Sequence, residues 1–451
     1  MRFPRKRRPE PGRARCRRRG PRGGALVCLL AAVLGPAGGA ENRGRPEKFI
    51  LATGMACLYA QDLSSPLTVL QLHIPGGKSA VPPGKDGLAH LATRLALEIP
   101  DMSKAQELMS QATRITMHVQ EDYSVIGISC LSENLEAALR AASGIIRKPL
   151  FTGIRIGNIK DVMKIQGHAA QDDSVSAGHD AALEALFGGR GRGGAVFGTE
   201  ESLRSIRKKD LTDFHGRFFT RAGIVFSVCT DLDREIVREL LEAHFDGFPE
   251  GEGDRNPFPA DPVLPEEKTV RKGRDTRQSY VGQAFVLPPL SPAAYAKGFL
   301  LEVLLGKPPG SRLWPLREEE RLAYNVNARV TWTRGRGILE AYLETENEKT
   351  ERALSGLSSV ISALWEDGLG EAELAATKTL ARSWFLRSQE GKEGRAAAMG
   401  HFEALGLGVE NLTGLVDAIN AVDLDAMNRF VRDVLDPATA LVVVVGPDNG
   451  G

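Results

Sequence analysis

Apolar residues recur with two periods along this chain. Phe49–Ala60 and Pro66–Ile74 alternate or run apolar and are expected to be strands joined by a polar turn. A mostly apolar helix follows from about Gly87. The pattern then predicts a helix at Lys104–Gln111, strands at Arg114–His118 and Tyr123–Cys130, and a helix at Asn134–Ile146 led in by Ser132. A long helical stretch covers Ile156–Ala170 and Ala181–Leu186. The loop Gly188–Gly198 holds six glycines and reads as a mobile connection. It lacks the preceding strand and the Gly-Lys-Ser/Thr ending that a phosphate cradle needs. Helix Asp210–Phe219, strand Ile224–Cys229 and helix Asp233–His244 close the first half. After a break come strands at Gln278–Leu287, Ala328–Thr333 and Ile338–Thr345. They alternate with helices at Ala293–Leu305, Arg312–Glu320, Lys349–Glu366, Glu371–Gln389 and Leu424–Leu435.

The break is Pro249–Glu267, with five prolines and no periodicity. On either side of it the chain repeats itself. Asp210–Asp231 and Asp423–Asp448 are each a helix, a short turn and an all-apolar strand, and their first residues lie 213 apart. The expected organisation is a domain over 41–248, a Pro-rich linker over 249–270 and a second, homologous domain over 271–451. The fold class is α/β (α+β).

Residues 1–40 differ from the rest. Residues 1–24 hold eleven Arg or Lys and one Glu, followed by the ten-residue apolar run Ala25–Leu34 and small residues up to Ala40. This is the layout of a secretory signal peptide cut after Ala40, and the run is too short to anchor the chain in a bilayer. It implies an exported, periplasmic or extracellular protein. Loss of this segment takes the formal charge from +1 to about −9, which excludes nucleic acid as the expected partner. Nothing after residue 40 reads as transmembrane. Cys57, Cys130 and Cys229 remain, in apolar strand-like runs, as small buried hydrophobes, although one disulfide among them stays open. No Gly-x-Ser-x-Gly or Cys-x-x-Cys occurs, so serine-hydrolase and dithiol chemistry have no support.

The informative stretch is Gly84–Leu97, GKDGLAHLATRLAL. Pro82-Pro83-Gly84 makes a turn, Asp86 is placed to cap, and Leu88, Leu91, Leu95 and Leu97 make the helix a buried one. His90 lies within this apolar surface, with Thr93 and Arg94 three and four residues on. On a helix those positions share one face. Gly87-Leu88-Ala89-His90 resembles the zinc helix of the pitrilysin/insulinase peptidases, Gly-Leu-Ala-His-x-x-Glu-His. IPGGKSAVPPGKDGLAHL, VFGTEESLRSIRKKDLTDFHGRFF and SRLWPLREEERLAYNV also look like family sequence. In that family two histidines hold zinc, the glutamate between them polarises water, and a later glutamate is the third ligand. The resemblance places the base at Thr93, the second ligand at Arg94 and the third at Gln166, 76 residues after His90. Thr93 cannot take a proton from water and Arg94 is a permanent cation. The resemblance therefore implies no zinc and no catalytic residue in this chain.

The resemblance also implies two α/β sandwich domains with largely antiparallel sheets. It further implies an arginine and a tyrosine, seven residues apart, that face the zinc site across a closed chamber and bind peptide substrate. Arg317 and Tyr324 have that spacing. Arg317 is expected to end a helix and Tyr324 to open a strand, where both can donate hydrogen bonds to a peptide carbonyl or carboxylate. The run Glu318-Glu319-Glu320 reads as a solvated helix face, and His168, Asp172, Asp173 and His179 have no recognised metal spacing. The expectation is a catalytically incomplete subunit of a two-chain peptidase, with zinc supplied by a homologous partner. A non-enzymatic binding or scaffold protein of the same fold is the alternative.

Overall fold

A computed structural model describes residues 43–447, apart from 100–101, 190, 252–260, 267 and 307–308. The expected signal peptide, and residues 252–260 and 267 of the Pro-rich linker, lie outside the described residues. Residues 41–451 form one compact unit.

Two sheets carry the fold. The first comprises β1 (Glu47–Ile50), β2 (Ala56–Gln61), β3 (Leu67–Ile74), β4 (Arg114–Val119), β5 (Ser124–Leu131) and β6 (Val225–Thr230), in the order β1-β2-β6-β3-β5-β4. The second comprises β7 (Thr269–Gly273), β8 (Gln278–Pro289), β9 (Asn325–Thr331), β10 (Arg336–Glu346) and β11 (Leu441–Gly446), in the order β7-β11-β8-β10-β9. Each has one parallel pair, β2 with β6 and β7 with β11, and is otherwise antiparallel. The second sheet thus repeats the order and directions of five strands of the first. The apolar strands β6 and β11 occupy equivalent central places, as the sequence repeat requires.

Two expectations are corrected here. Phe49–Ala60 is two strands, broken by a turn at Gly54, whose φ of +82° favours glycine. The turn after it leads from β2 to β3, with β6 inserted between them in the sheet. Between 390 and 422, where no element was expected, lie helices Lys392–Leu405, Val409–Thr413 and Leu415–Ala421.

Helix Lys392–Leu405 belongs to the second half by sequence but packs on the first sheet. Ser227 Oγ on β6 donates to Ala396 O (2.6 Å), and Lys392 Nζ donates to the carbonyls of Ser65 and Leu67 (2.6 and 2.7 Å). Arg395 reaches the buried Asp62 carboxylate at 3.3 Å. Burial alone would raise the Asp62 carboxyl, but hydrogen bonds from Ser64 and the charges of Lys392 and Arg395 hold it below its ordinary value. Reciprocally, helix Ser174–Phe187 of the first half packs on the second sheet. Ala177, Ala181 and Leu186 meet Tyr280, Ala284 and Val443 there. Gly178 is required, since a Cβ would lie 2.4 Å from the Tyr280 ring. The halves therefore interlock by exchanging one helix each.

Candidate functional site

The His90 helix runs Leu88–Leu95. It starts at Gly87, in the left-handed region at φ +88°, and no side chain caps it. Asp86 is not the cap. Its carboxylate lies against Gly194 of the glycine loop, and burial raises its pKa. Leu88, Leu91, Ala92 and Leu95 are buried in the first core, while Arg94 is exposed.

The metal face of this helix is closed. His90 is 8% exposed, and the ring of Phe197 meets it edge-on at 4.9 Å between centroids. Burial, and then the charge of Arg94, push the imidazole down to about 4, so it is neutral under ordinary conditions. Thr93 is fully buried and its hydroxyl has no hydrogen-bond partner. Arg94 points outward to Glu98 at 3.2 Å. Gln166 is exposed on helix Gly153–Asp172. That helix meets the His90 helix through the buried Met163, next to Gly87, and Gly167 lies beside Phe197. Among the described residues no three His, Cys, Asp or Glu side chains form a group able to hold a metal. Zinc needs a second imidazole and a carboxylate beside His90, and the residues there are a threonine, an outward arginine and a phenylalanine. They do not fit the metal.

The glycine loop supplies that phenylalanine, and it is not a loose connection. Arg192 donates to Asp122 Oδ1 from Nε (2.9 Å) and from a terminal nitrogen (2.6 Å), and both side chains are buried. A Cβ at Gly198 would lie 2.5 Å from Asp86 O, so the loop needs glycine there to pack directly on the segment entering the His90 helix. Ser202 Oγ donates to the same Asp86 carbonyl. Phe197 escaped the sequence reading because the glycines around it signal freedom, whereas here they permit close packing.

The second set of residues is open. Arg317 lies in the last turn of helix Trp314–Glu318, its guanidinium stacked on Trp314 at 4.9 Å and only 3.7 Å from the Glu318 carboxylate. Tyr324 immediately precedes β9 and is 73% exposed. Its backbone N–H donates to Glu344 O at 2.9 Å, so the tyrosine is held by the sheet while its side chain stands in solvent. The Glu344 carboxylate accepts from Asn325 (3.1 Å) and from Ser174 at the start of the exchanged helix. His179 on that helix pairs with the buried Glu340 at 2.6 Å, and Arg329 lies 3.4 Å from the same oxygen. Burial would raise Glu340, and these two partners hold it down. His179 is thus part of the interlock. The three cysteines are free and buried, and burial pushes the thiols of Cys130 and Cys229 up to about 11. They behave as small hydrophobes.

The sequence model of the family described as "Peptidase M16 inactive domain" matches residues 205–380. Over this segment the chain carries the sequence pattern of the M16 peptidases. These are the pitrilysin/insulinase peptidases, and with Thr93, Arg94 and Gln166 at the zinc positions the chain is similar to their catalytically incomplete members. It is similar to the non-peptidase homolog YmxG of Helicobacter pylori, with 23% identity over 410 residues, 90% of this chain and 94% of the relative. It is also similar to the uncharacterized zinc protease YmxG of Bacillus subtilis, with 22% identity over 372 residues, 81% of this chain and 90% of the relative. The crystal structure of a peptidase M16 inactive domain from Pseudomonas fluorescens superimposes with a TM-score of 0.81 at 19% identity, over 89% of this chain and 98% of that one. Among the described residues no helix is long and apolar enough to cross a membrane.

Proposed function

We propose that this chain is the non-catalytic subunit of a two-chain M16 peptidase, exported to the periplasm or the cell exterior. A homologous partner with an intact His-x-x-Glu-His supplies the zinc and the general base. This chain closes the chamber and binds peptide substrate through Arg317 and Tyr324. One contrast carries the reading: the metal helix is sealed by Phe197, while an exposed guanidinium resting on Trp314 and a phenol in solvent stand at the family's substrate-binding spacing. A phenol at the entrance to β9, a strand that buries Val326 and Ala328, gains nothing for folding by being exposed. Both groups donate hydrogen bonds, and a guanidinium can grip a carboxylate with two.

The test uses the reconstituted complex. Arg317→Ala and Tyr324→Phe are expected to lower peptidase activity about tenfold or more without dissociating the two chains, corresponding to one lost charge-assisted hydrogen bond or more. Wild-type rates from both variants would refute the substrate role. Failure of any homologue with an intact motif to form an active pair would leave the scaffold reading.

A further inference from the structure

Arg317 and Tyr324 stand on well-anchored backbone. At the head of their segment, Arg312 donates to both oxygens of Glu373, from Nε at 2.6 Å and from a terminal nitrogen at 2.7 Å. Leu313 and Leu316 are buried, and Pro315 lies in the first turn of helix Trp314–Glu318, where its missing N–H costs nothing. The chain then reverses at Arg321, which takes a left-handed φ of +51° that few non-glycine residues adopt. Two hydrogen bonds hold that turn. Leu322 N donates to Leu316 O at 2.9 Å, and Thr345 Oγ1 donates to Leu322 O at 2.6 Å. Tyr324 follows, tied to Glu344.

The Arg317 side chain has no anchor of that kind. It is a long arm, 42% exposed, and Glu318, Glu319 and Glu320 follow it directly. A guanidinium in that setting can swing onto a carboxylate, and each N–H spent there is lost to a substrate. Arg312 spends two in just this way. Arg317 does not: Glu318 is 3.7 Å from it, beyond hydrogen-bond length. The guanidinium lies instead over the ring of Trp314, 4.9 Å from the centroid. Trp314 is three residues earlier and so on the same helix face. The indole is itself held, half-buried against the core that contains Leu313 and Leu316.

We propose that Trp314 is the positioning residue of the peptide-binding site. Its ring holds the Arg317 guanidinium before substrate arrives and keeps it off the glutamates that follow. An aromatic face attracts a cation through its π cloud and takes up no N–H, which a carboxylate would. The donors stay free, and rotamer entropy that a long arm would lose on binding has been lost beforehand. This role rests on the substrate contact proposed for Arg317 above, and Trp314 itself touches no substrate.

The experiment is a double-mutant cycle in the reconstituted complex, read as kcat/KM. Trp314→Leu is expected to lower it about three- to fivefold, the size of an exposed cation–π contact. Trp314→Phe keeps an aromatic face and should retain at least about half of the activity. Added to Arg317→Ala, Trp314→Leu should cause no further loss, because nothing remains for the ring to hold. The processed chain alone supplies a second readout that needs no variant to fold. In its heteronuclear NMR spectrum the Arg317 Nε–H resonance should be displaced by the indole ring current. Three results would each overturn the positioning role and leave the substrate role standing. They are an equal Trp314→Leu loss with and without Arg317, a wild-type rate from Trp314→Leu beside a slowed Arg317→Ala, and an Arg317 resonance with no ring-current shift. Wild-type rates from Arg317→Ala would remove both roles.

Discussion

The His90 region and the Arg317–Tyr324 region occupy opposite halves of a duplicated fold and have been treated in opposite ways. Around His90 every position that could serve a metal has been turned to packing or to solvent. His90 is covered edge-on by Phe197, Thr93 is buried, and Arg94 is paired outside with Glu98. Around Tyr324 the backbone is fixed by Glu344 and the exchanged helix, while the functional groups remain unburied. Buried polar groups without partners are costly, and so are exposed rings that could have packed. A chain with no function at either site would be expected to relax at both. Closure at one and exposure at the other is the contrast on which the proposed substrate role rests.

The largest way to break the contrast is acid. Three imidazoles, those of the buried His90 and His73 and the half-buried His401, are held at about 4, 3 and 4, below the ordinary histidine value of 6.5. In the unfolded chain they take up protons near 6.5, whereas in the folded chain they resist. Their contribution to stability is therefore complete above that value and is lost as pH falls toward 4, at roughly 1.4 kcal/mol per pH unit for each ring. Urea midpoints at stepped pH between 7 and 4 should fall steeply. A flat profile would mean the rings are not held neutral.

Next comes the strap that carries Phe197. Asp122→Ala leaves the buried Arg192 guanidinium without its carboxylate and should cost about 3 kcal/mol in urea unfolding. Phe197→Ala removes only the partly buried ring over His90. We expect about 2 kcal/mol, together with a rise of the His90 pKa toward its ordinary value in an NMR titration. A large loss of stability with no movement of His90 would show that the ring packs elsewhere. The smallest effect is expected at the open site. Arg317→Ala and Tyr324→Phe should each change stability by about 0.5 kcal/mol or less, since neither side chain is buried. Destabilisation well beyond that would make these residues structural and remove the contrast.

Local patterns were legible in the sequence and contacts across the chain were not. The loss at His90 could be read directly because positions three and four apart share a helix face. The β6 and β11 repeat could be read because both strands are apolar throughout. The place of β6 between β2 and β3 could not, because β6 arrives from more than 90 residues further along the chain. Helix Lys392–Leu405 was invisible for a physical reason. It carries Gly394 and Gly400, and it buries Lys392 and Arg395 against the other half, so its polar and apolar residues do not separate into faces. Phe197 was hidden by its glycines. Arg317 and Tyr324 were found only through resemblance, since seven-residue spacing alone carries no chemistry.

The most direct test of the account is zinc content and peptidase activity of the processed chain, measured alone and after mixing with a homologue that has an intact His-x-x-Glu-His. The account predicts no stoichiometric zinc and no activity alone, with activity appearing on mixing and depending on Arg317 and Tyr324. Stoichiometric zinc with activity in the chain by itself would contradict it, because no arrangement of His90, Thr93, Arg94 and Gln166 described above could hold that metal.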